Sequence, residues 1–165
     1  MKKNLKSIFL LVFLLVPFLS YAQSKEAVVK ITGEVTTPLT ITVADYEKYN
    51  QTTVTRKDKE GKDHIYKGVL LSDILQKAGA TLGENLKGTN LTKFVLAEAS
   101  DGYKATFALT ELDKSFTDKA IILTNNVDGK PLPTTEGPFR IIIQDEKKPS
   151  RCVRQLISLK VGFAK

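Results

Sequence analysis

Apolar and polar residues alternate where the chain first reads as folded protein. Val29, Ile31 and Val35 fall at odd positions with Lys30, Thr32 and Glu34 between them. A period of two marks a half-buried strand, because successive side chains leave opposite faces. Pro38 interrupts it, residues 39–43 resume a short strand, and Asp45 opens a helical turn through Tyr49. Further on the period lengthens. Leu71, Ile74, Leu75 and Ala78 lie at i, i+3, i+4 and i+7, which puts all four on one face of a helix. Gly79 follows where a left-handed cap closes such a helix.

Between these elements, residues 52–57 and 63–67 are strand-like and flank Glu60-Gly61, which predicts a hairpin. Few of its residues are apolar, so it is expected to form an exposed rim. Residues 93–99 and 103–109 flank Ser100-Asp101-Gly102, and Asp-Gly between two such runs is a strong hairpin signal. Thr110 then caps a short helix through Lys114. Residues 120–123 and 139–143 are unbroken apolar runs rich in Ile, the pattern of strands covered on both faces. The stretch 128–138 between them carries three prolines and two glycines and reads as a loop. Ile157, Leu159, Val161 and Phe163 alternate with Ser158, Lys160 and Gly162, predicting a last strand with those four on its buried face. About eight strands with two or three short helices define an α+β domain dominated by sheet.

The first residues follow a different logic. Lys2, Lys3 and Lys6 precede a run from residue 8 to 19 without a polar side chain, and Ser20 and Ala22 stand at −3 and −1 to Gln23. Basic start, apolar run and small residues form the pattern of an export signal, predicted to span residues 1–22. The run is too short for the roughly 20 residues of a membrane span. Its removal leaves 143 residues, 23–165, with 22 basic against 18 acidic side chains. One domain of that size builds its own core. It is expected to be periplasmic or secreted, with no membrane span after cleavage. So mild a basic surplus argues against nucleic acid as a partner. One Cys can neither close an internal disulfide nor build a Cys-rich zinc site.

Candidate chemistry is sparse. His64 is the sole imidazole, which excludes a multi-histidine metal site and leaves a solvated strand residue or a ligand-facing one. No Gly-x-Ser-x-Gly elbow supports a hydrolase, and Ser72 fits the first turn of the helix. Asp101 is explained by its turn, and Glu111 and Asp113 by the start of the short helix. The basic residues near the C-terminus carry more information. Arg140 opens an apolar strand, and Lys148, Arg151 and Arg154 follow the turn after it. Guanidinium groups offer paired donors that match phosphate and carboxylate oxygens. Charge alone leaves both an anion site and an ordinary surface cluster open.

The order of motifs resembles the molybdopterin-binding domain of sulfite-oxidase-like oxidoreductases, in particular its small exported stand-alone relatives. The resemblance rests on Gly33-Glu34-Val35 with Pro38-Leu39-Thr40-Ile41, and on Tyr66-Lys67-Gly68-Val69-Leu70-Leu71-Ser72-Asp73-Ile74-Leu75. It continues through Ser100-Asp101-Gly102-Tyr103, Gly129-Lys130-Pro131-Leu132-Pro133, Gly137-Pro138-Phe139-Arg140 and Ser150-Arg151-Cys152-Val153-Arg154. It implies a mainly β, mixed-sheet, barrel-like fold that cradles molybdopterin. It also implies that Arg151 and Arg154 hold the polar end of that cofactor, with Arg140 matching a further basic position; the candidate site here adds Lys148 in support and His64 and Tyr103 as wall residues. Catalytic members of the family place a Cys thiolate on molybdenum from a loop upstream of the helix. The matching stretch, residues 52–62, has no Cys. Cys152 lies in the late basic segment and reads as a small half-buried residue. The Pro-Gly usual after the Arg140 strand is replaced by Gln144-Asp145.

The expectation is therefore an exported, oxidoreductase-like domain that binds a pterin phosphate or another small anion, lacking the thiolate anchor for molybdenum. If it is an enzyme, it needs a redox partner protein. The alternative is a non-enzymatic periplasmic module, for ligand binding or protein interaction, that kept the fold without the cofactor.

Overall fold

A computed structural model describes residues 27–164, so the predicted export signal, residues 1–22, lies outside the described residues. The first half of the chain forms β1 (Val28–Gly33), β2 (Leu39–Thr42), α1 (Val43–Tyr46), β3 (Thr52–Lys57), β4 (Asp63–Leu70) and α2 (Leu71–Lys77). The second half forms β5 (Lys93–Ala99), β6 (Lys104–Ala108), β7 (Ile121–Thr124), β8 (Asn126–Val127), β9 (Lys130–Pro131), β10 (Arg140–Ile143) and β11 (Leu156–Phe163). Short 3-10 turns lie at Gly83–Asn85, Gly88–Thr92, Leu109–Leu112 and Pro149–Arg151. No helix among the described residues is long and apolar enough to cross a membrane.

The strands form a five-stranded sheet in the order β2-β1-β11-β5-β6, a four-stranded sheet in the order β10-β7-β4-β3, and the ribbon β8-β9. β1 and β11 pair in parallel, while β2 and β5 flank them antiparallel. One continuous apolar core joins both sheets, with Val29, Ile31, Leu159 and Val161 from the first and Val69, Ile122, Leu123 and Ile141 from the second. Every residue of β7 and β10 is buried, as their unbroken apolar runs predict. The domain is α+β and mainly sheet.

The barrel-like closure does not form, since both sheets are open. The four-stranded sheet nevertheless curls. Arg56 on its edge strand β3 donates from Nη1 to the carbonyl of Ile143 on the opposite edge, β10, at 3.1 Å. In a flat sheet three inter-strand spacings would hold these edges roughly 14 Å apart, beyond the reach of an Arg side chain.

Local chemistry explains the smaller departures from expectation. α1 begins at Val43, because Thr42 and Asp45 form a reciprocal capping box. The β3–β4 hairpin is exposed at its tip, yet Val54 and Tyr66 turn into the core. Residues 128–138 hold the strand β9, because Asp128 and Gly129 both take positive φ, 51° and 74°, and close a tight ribbon with β8. On β11 the register shifts between Leu156 and Ser158. The bulge turns Leu156 inward and leaves Ile157 43% exposed, and Phe163 at the strand end is 42% exposed. Only Leu159 and Val161 of the four predicted residues are buried.

α2 buries Leu71, Ile74, Leu75 and Ala78 completely. Asp73 in its first turn and Lys77 in its last complement the helix dipole. Gly79, at φ 70°, lets Ala80 N donate back to Leu75 O at 3.0 Å and ends the helix. Gly33 is tighter still, with φ 90° and a position where a Cβ would overlap the Val161 carbonyl oxygen. Gly33→Ala is expected to lower stability by roughly 2–4 kcal/mol in urea unfolding. A change below about 0.5 kcal/mol would contradict the close packing of β1 on β11.

Candidate functional site

Backbone pairing builds the site from two segments distant in sequence. Ile141 N donates to Val153 O and Leu156 N to Phe139 O, each at 2.8 Å, so residues 153–156 run beside the start of β10. This places Arg140 next to Arg154. Gln155 N donates to Glu136 O at 2.8 Å, which brings the preceding loop to the same point. Glu136 then engages both guanidinium groups. One carboxylate oxygen accepts from Arg140 Nη1, and the other lies 3.3 Å from Arg154 Nη2.

The two arginines differ in setting. The Arg140 side chain is 6% exposed and that of Arg154 58%. Arg140 Cζ sits 5.7 Å from the centroid of the Tyr66 ring, a cation–π arrangement. Its Nε is buried and has no hydrogen-bond partner. A buried donor left unpaired is costly, and the arginine that carries it contributes to the walls of two adjoining hollows.

The smaller hollow, about 310 Å³, is lined by Tyr103, Ser150, Cys152, Arg140 and Arg154 among others. The larger, about 450 Å³, is lined by Arg140 and Arg154 together with Arg56, His64, Tyr66 and Lys147. Both volumes fall within the range of roughly 300–1,000 Å³ typical of ligand sites. Lys57 and Lys59 also line the larger hollow, against Asp58, Glu60, Asp128 and Glu136.

The structure thus gathers Arg140, Arg154, Tyr103 and His64 around one composite cleft. Tyr103 is fixed by its hydroxyl donating to Ser150 O at 2.7 Å. Lys148 lines neither hollow, and Lys147 takes a place on the wall instead. Arg151 also lies outside both linings. Its Nε and Nη2 donate to the two oxygens of Glu146 at 2.9 and 3.1 Å, and its Nη1 donates to both oxygens of Glu111 at 3.0 Å. These hydrogen bonds raise the Arg151 pKa, that from Glu146 most, and the Arg151 bond holds Glu146 below the usual carboxylate range. Arg151 is a clamp joining the turn after β10 to the Leu109–Leu112 turn, and its donors are already committed to carboxylates.

His64 is held from both sides. Nδ1 lies 2.7 Å from Asp128 Oδ2 and Nε2 lies 3.0 Å from Asp58 Oδ2. Asp128 also accepts from Ile65 N at 2.8 Å through its other oxygen. The carboxylates raise the imidazole pKa above its ordinary 6.5, Asp128 contributing most. Both aspartates are lowered, chiefly by the backbone N–H of Lys62 at Asp58 and of Ile65 at Asp128. The clamp ties the β3–β4 hairpin to the β8–β9 ribbon across the mouth of the larger hollow.

Arg56, Tyr66, Glu136 and Lys147 escaped the sequence reading. The Asp128-Gly129 pair carries the same hairpin signal as Asp101-Gly102 and would have located the ribbon. Nothing in the spacing of Glu136 and Arg140 marks their contact, because the segment between them is not helical.

The fit of this cleft to a phosphate-bearing pterin divides at its two ends. Arg140, Arg154 and Lys147 suit the phosphate. The metal end does not fit. Residues 52–62, where the thiolate is expected, form the β3–β4 hairpin and bring Arg56, Lys57 and Lys59 to the cleft, and such cations repel a metal ion. Cys152, the sole thiol, is 3% exposed and packs as a core residue. No cluster of three or more His, Cys, Asp or Glu side chains that could hold a metal exists among the described residues.

The chain is therefore a mainly β, α+β domain with a cationic cleft lined from β3, β4 and the start of β10. No protein-family model matches it, nor does any curated protein. Among solved structures its fold is similar to the sulfane dehydrogenase SoxCD from Paracoccus pantotrophus, with a TM-score of 0.64 over 81% of this chain at 19% identity. This chain spans 37% of the length of that one. The likeness establishes a distant relationship of fold.

The two late arginines should separate in mutagenesis. Arg151→Ala is expected to cost about 1–2 kcal/mol of stability, discounted for its partial exposure, and Arg154→Ala less than about 0.5 kcal/mol. Equal losses by chemical denaturation would contradict the clamp. For His64, the single imidazole makes its NMR titration unambiguous in untagged protein. Its midpoint is expected above 6.5 and should fall in Asp128→Asn. Because its folded pKa is raised, the stabilisation from His64 is complete below about pH 6.5 and is lost as pH rises through the folded value. The contributions of Asp58 and Asp128 are lost in the opposite direction, as pH falls below about 3.8 through their lowered values. A His64 midpoint at or below 6.5 would overturn the clamp.

Proposed function

We propose that this protein is an exported binding domain that holds a phosphate-bearing or similarly anionic ligand between Arg140 and Arg154, without metal-centred redox catalysis. The observation that carries the reading is a pair of guanidinium groups in the wall of one cleft, Arg140 buried and Arg154 exposed, with the single carboxylate of Glu136 between them. Anions bind such pairs through charge-assisted, geometrically matched hydrogen bonds. Export is supported by the basic, apolar and small-residue pattern of residues 1–22.

The family resemblance and the fold shared with SoxCD support molybdopterin as one ligand class, with the cofactor's phosphate directed to the arginines. When bound, that group supplies redox chemistry at its metal. This chain contributes the anion-holding groups and no thiolate from the β3–β4 hairpin, which separates it from an oxidoreductase acting with a redox partner.

Protein purified from a host that makes molybdopterin tests the ligand class, by elemental analysis together with pterin fluorescence after acid release. Pterin without stoichiometric molybdenum is the expected result if that class is correct, and stoichiometric molybdenum would contradict the binding-only reading. For the anion site itself, inorganic phosphate should raise the Tm of the wild type, and Arg154→Ala should lose most of that protection. Equal protection of both proteins would remove Arg154 from the site.

A further inference from the structure

We propose that Glu136 is an intramolecular competitor for the anion site, and that it makes the site selective for tetrahedral dianions over carboxylates. The inference rests on the anion-binding reading and adds a specificity-determining residue to it. Glu136 spans the two cationic groups on which that reading depends, with one oxygen to Arg140 Nη1 and the other toward Arg154 Nη2. A ligand that takes over these donors must displace the Glu136 carboxylate.

The displacement involves the side chain alone. Glu136 N donates to Pro133 O at 2.9 Å and Glu136 O accepts from Gln155 N, so the backbone stays fixed. The Glu136 side chain is 19% exposed and lines the larger hollow, which gives it space to rotate toward Lys147 and Arg56. Arg154, 58% exposed, is free to follow an incoming ligand.

Selectivity follows from counting acceptors and charge. The Glu136 carboxylate spends one oxygen on each arginine and leaves Arg140 Nε unmet. A carboxylate ligand would repeat that arrangement and gain little. A phosphate has further oxygens for the remaining donors of the exposed Arg154, and its second charge matches two guanidinium groups. Glu136 thus sets a threshold that a monoanionic carboxylate does not pass.

Titration calorimetry with inorganic phosphate and with acetate, at pH 7.5 and constant ionic strength, tests this. Glu136→Gln should bind phosphate about tenfold more tightly than the wild type, and acetate should bind measurably to the variant but not to the wild type. Glu136→Asp, too short to span both arginines, should fall between them, and it serves if the Gln variant does not fold. Phosphate affinity unchanged in both variants while Arg154→Ala loses binding would overturn the competitor and leave the anion site standing. Absence of phosphate binding in the wild type and in Glu136→Gln alike would overturn both.

Discussion

The cleft depends on one buried positive charge. Removing a guanidinium from water costs several kcal/mol unless opposite charge and hydrogen bonds replace the lost hydration. Arg140 meets that demand only in part. Its neighbours in sequence, Phe139 and Ile141, are fully buried, so the backbone of β10 fixes the arginine at the core boundary. Glu136 supplies the counter-charge and Tyr66 a ring face, while Nε remains without an acceptor. The loop that carries Glu136 and the segment 153–156 both meet the chain at this residue.

The arginines look alike in sequence and do different work in the fold. All three nitrogens of Arg151 donate to Glu111 or Glu146, and the residue joins three turns. Arg56 spends a donor on Ile143 O and draws the two sheet edges together. Arg154 alone is well exposed beside Arg140, and it is the group best placed to meet a ligand. Which cation binds and which one braces is decided by the carboxylates nearby, since an arginine with all its donors committed has little left to offer.

Much of the fold was legible from periodicity. The alternation in β1, the helical spacing of α2, the Asp101-Gly102 turn and the unbroken apolar runs of β7 and β10 all sit where their patterns place them, because burial on one or both faces imposes those patterns directly. Departures arose where one residue changes the outcome. A bulge after Leu156 turned Ile157 outward, and an Asp-Gly ribbon formed inside a segment that reads as loop. The site was legible as a cluster of cations and no further. Arg140, Arg154, Tyr103 and His64 come together, but the Glu136 bridge, the His64 clamp and the commitment of Arg151 are long-range pairings. They are set by backbone hydrogen bonds between distant segments, to which local spacing is blind.

The central claim is that an anion binds between Arg140 and Arg154, and the side-chain N–H groups of the exposed Arg154 report on that directly. In ¹⁵N-resolved NMR of the arginine side chains, titration with inorganic phosphate at fixed ionic strength should shift the Arg154 Nε–H resonance saturably and slow its exchange with water. An Arg154 resonance that stays in place, or that moves only weakly and without saturation, would contradict the account.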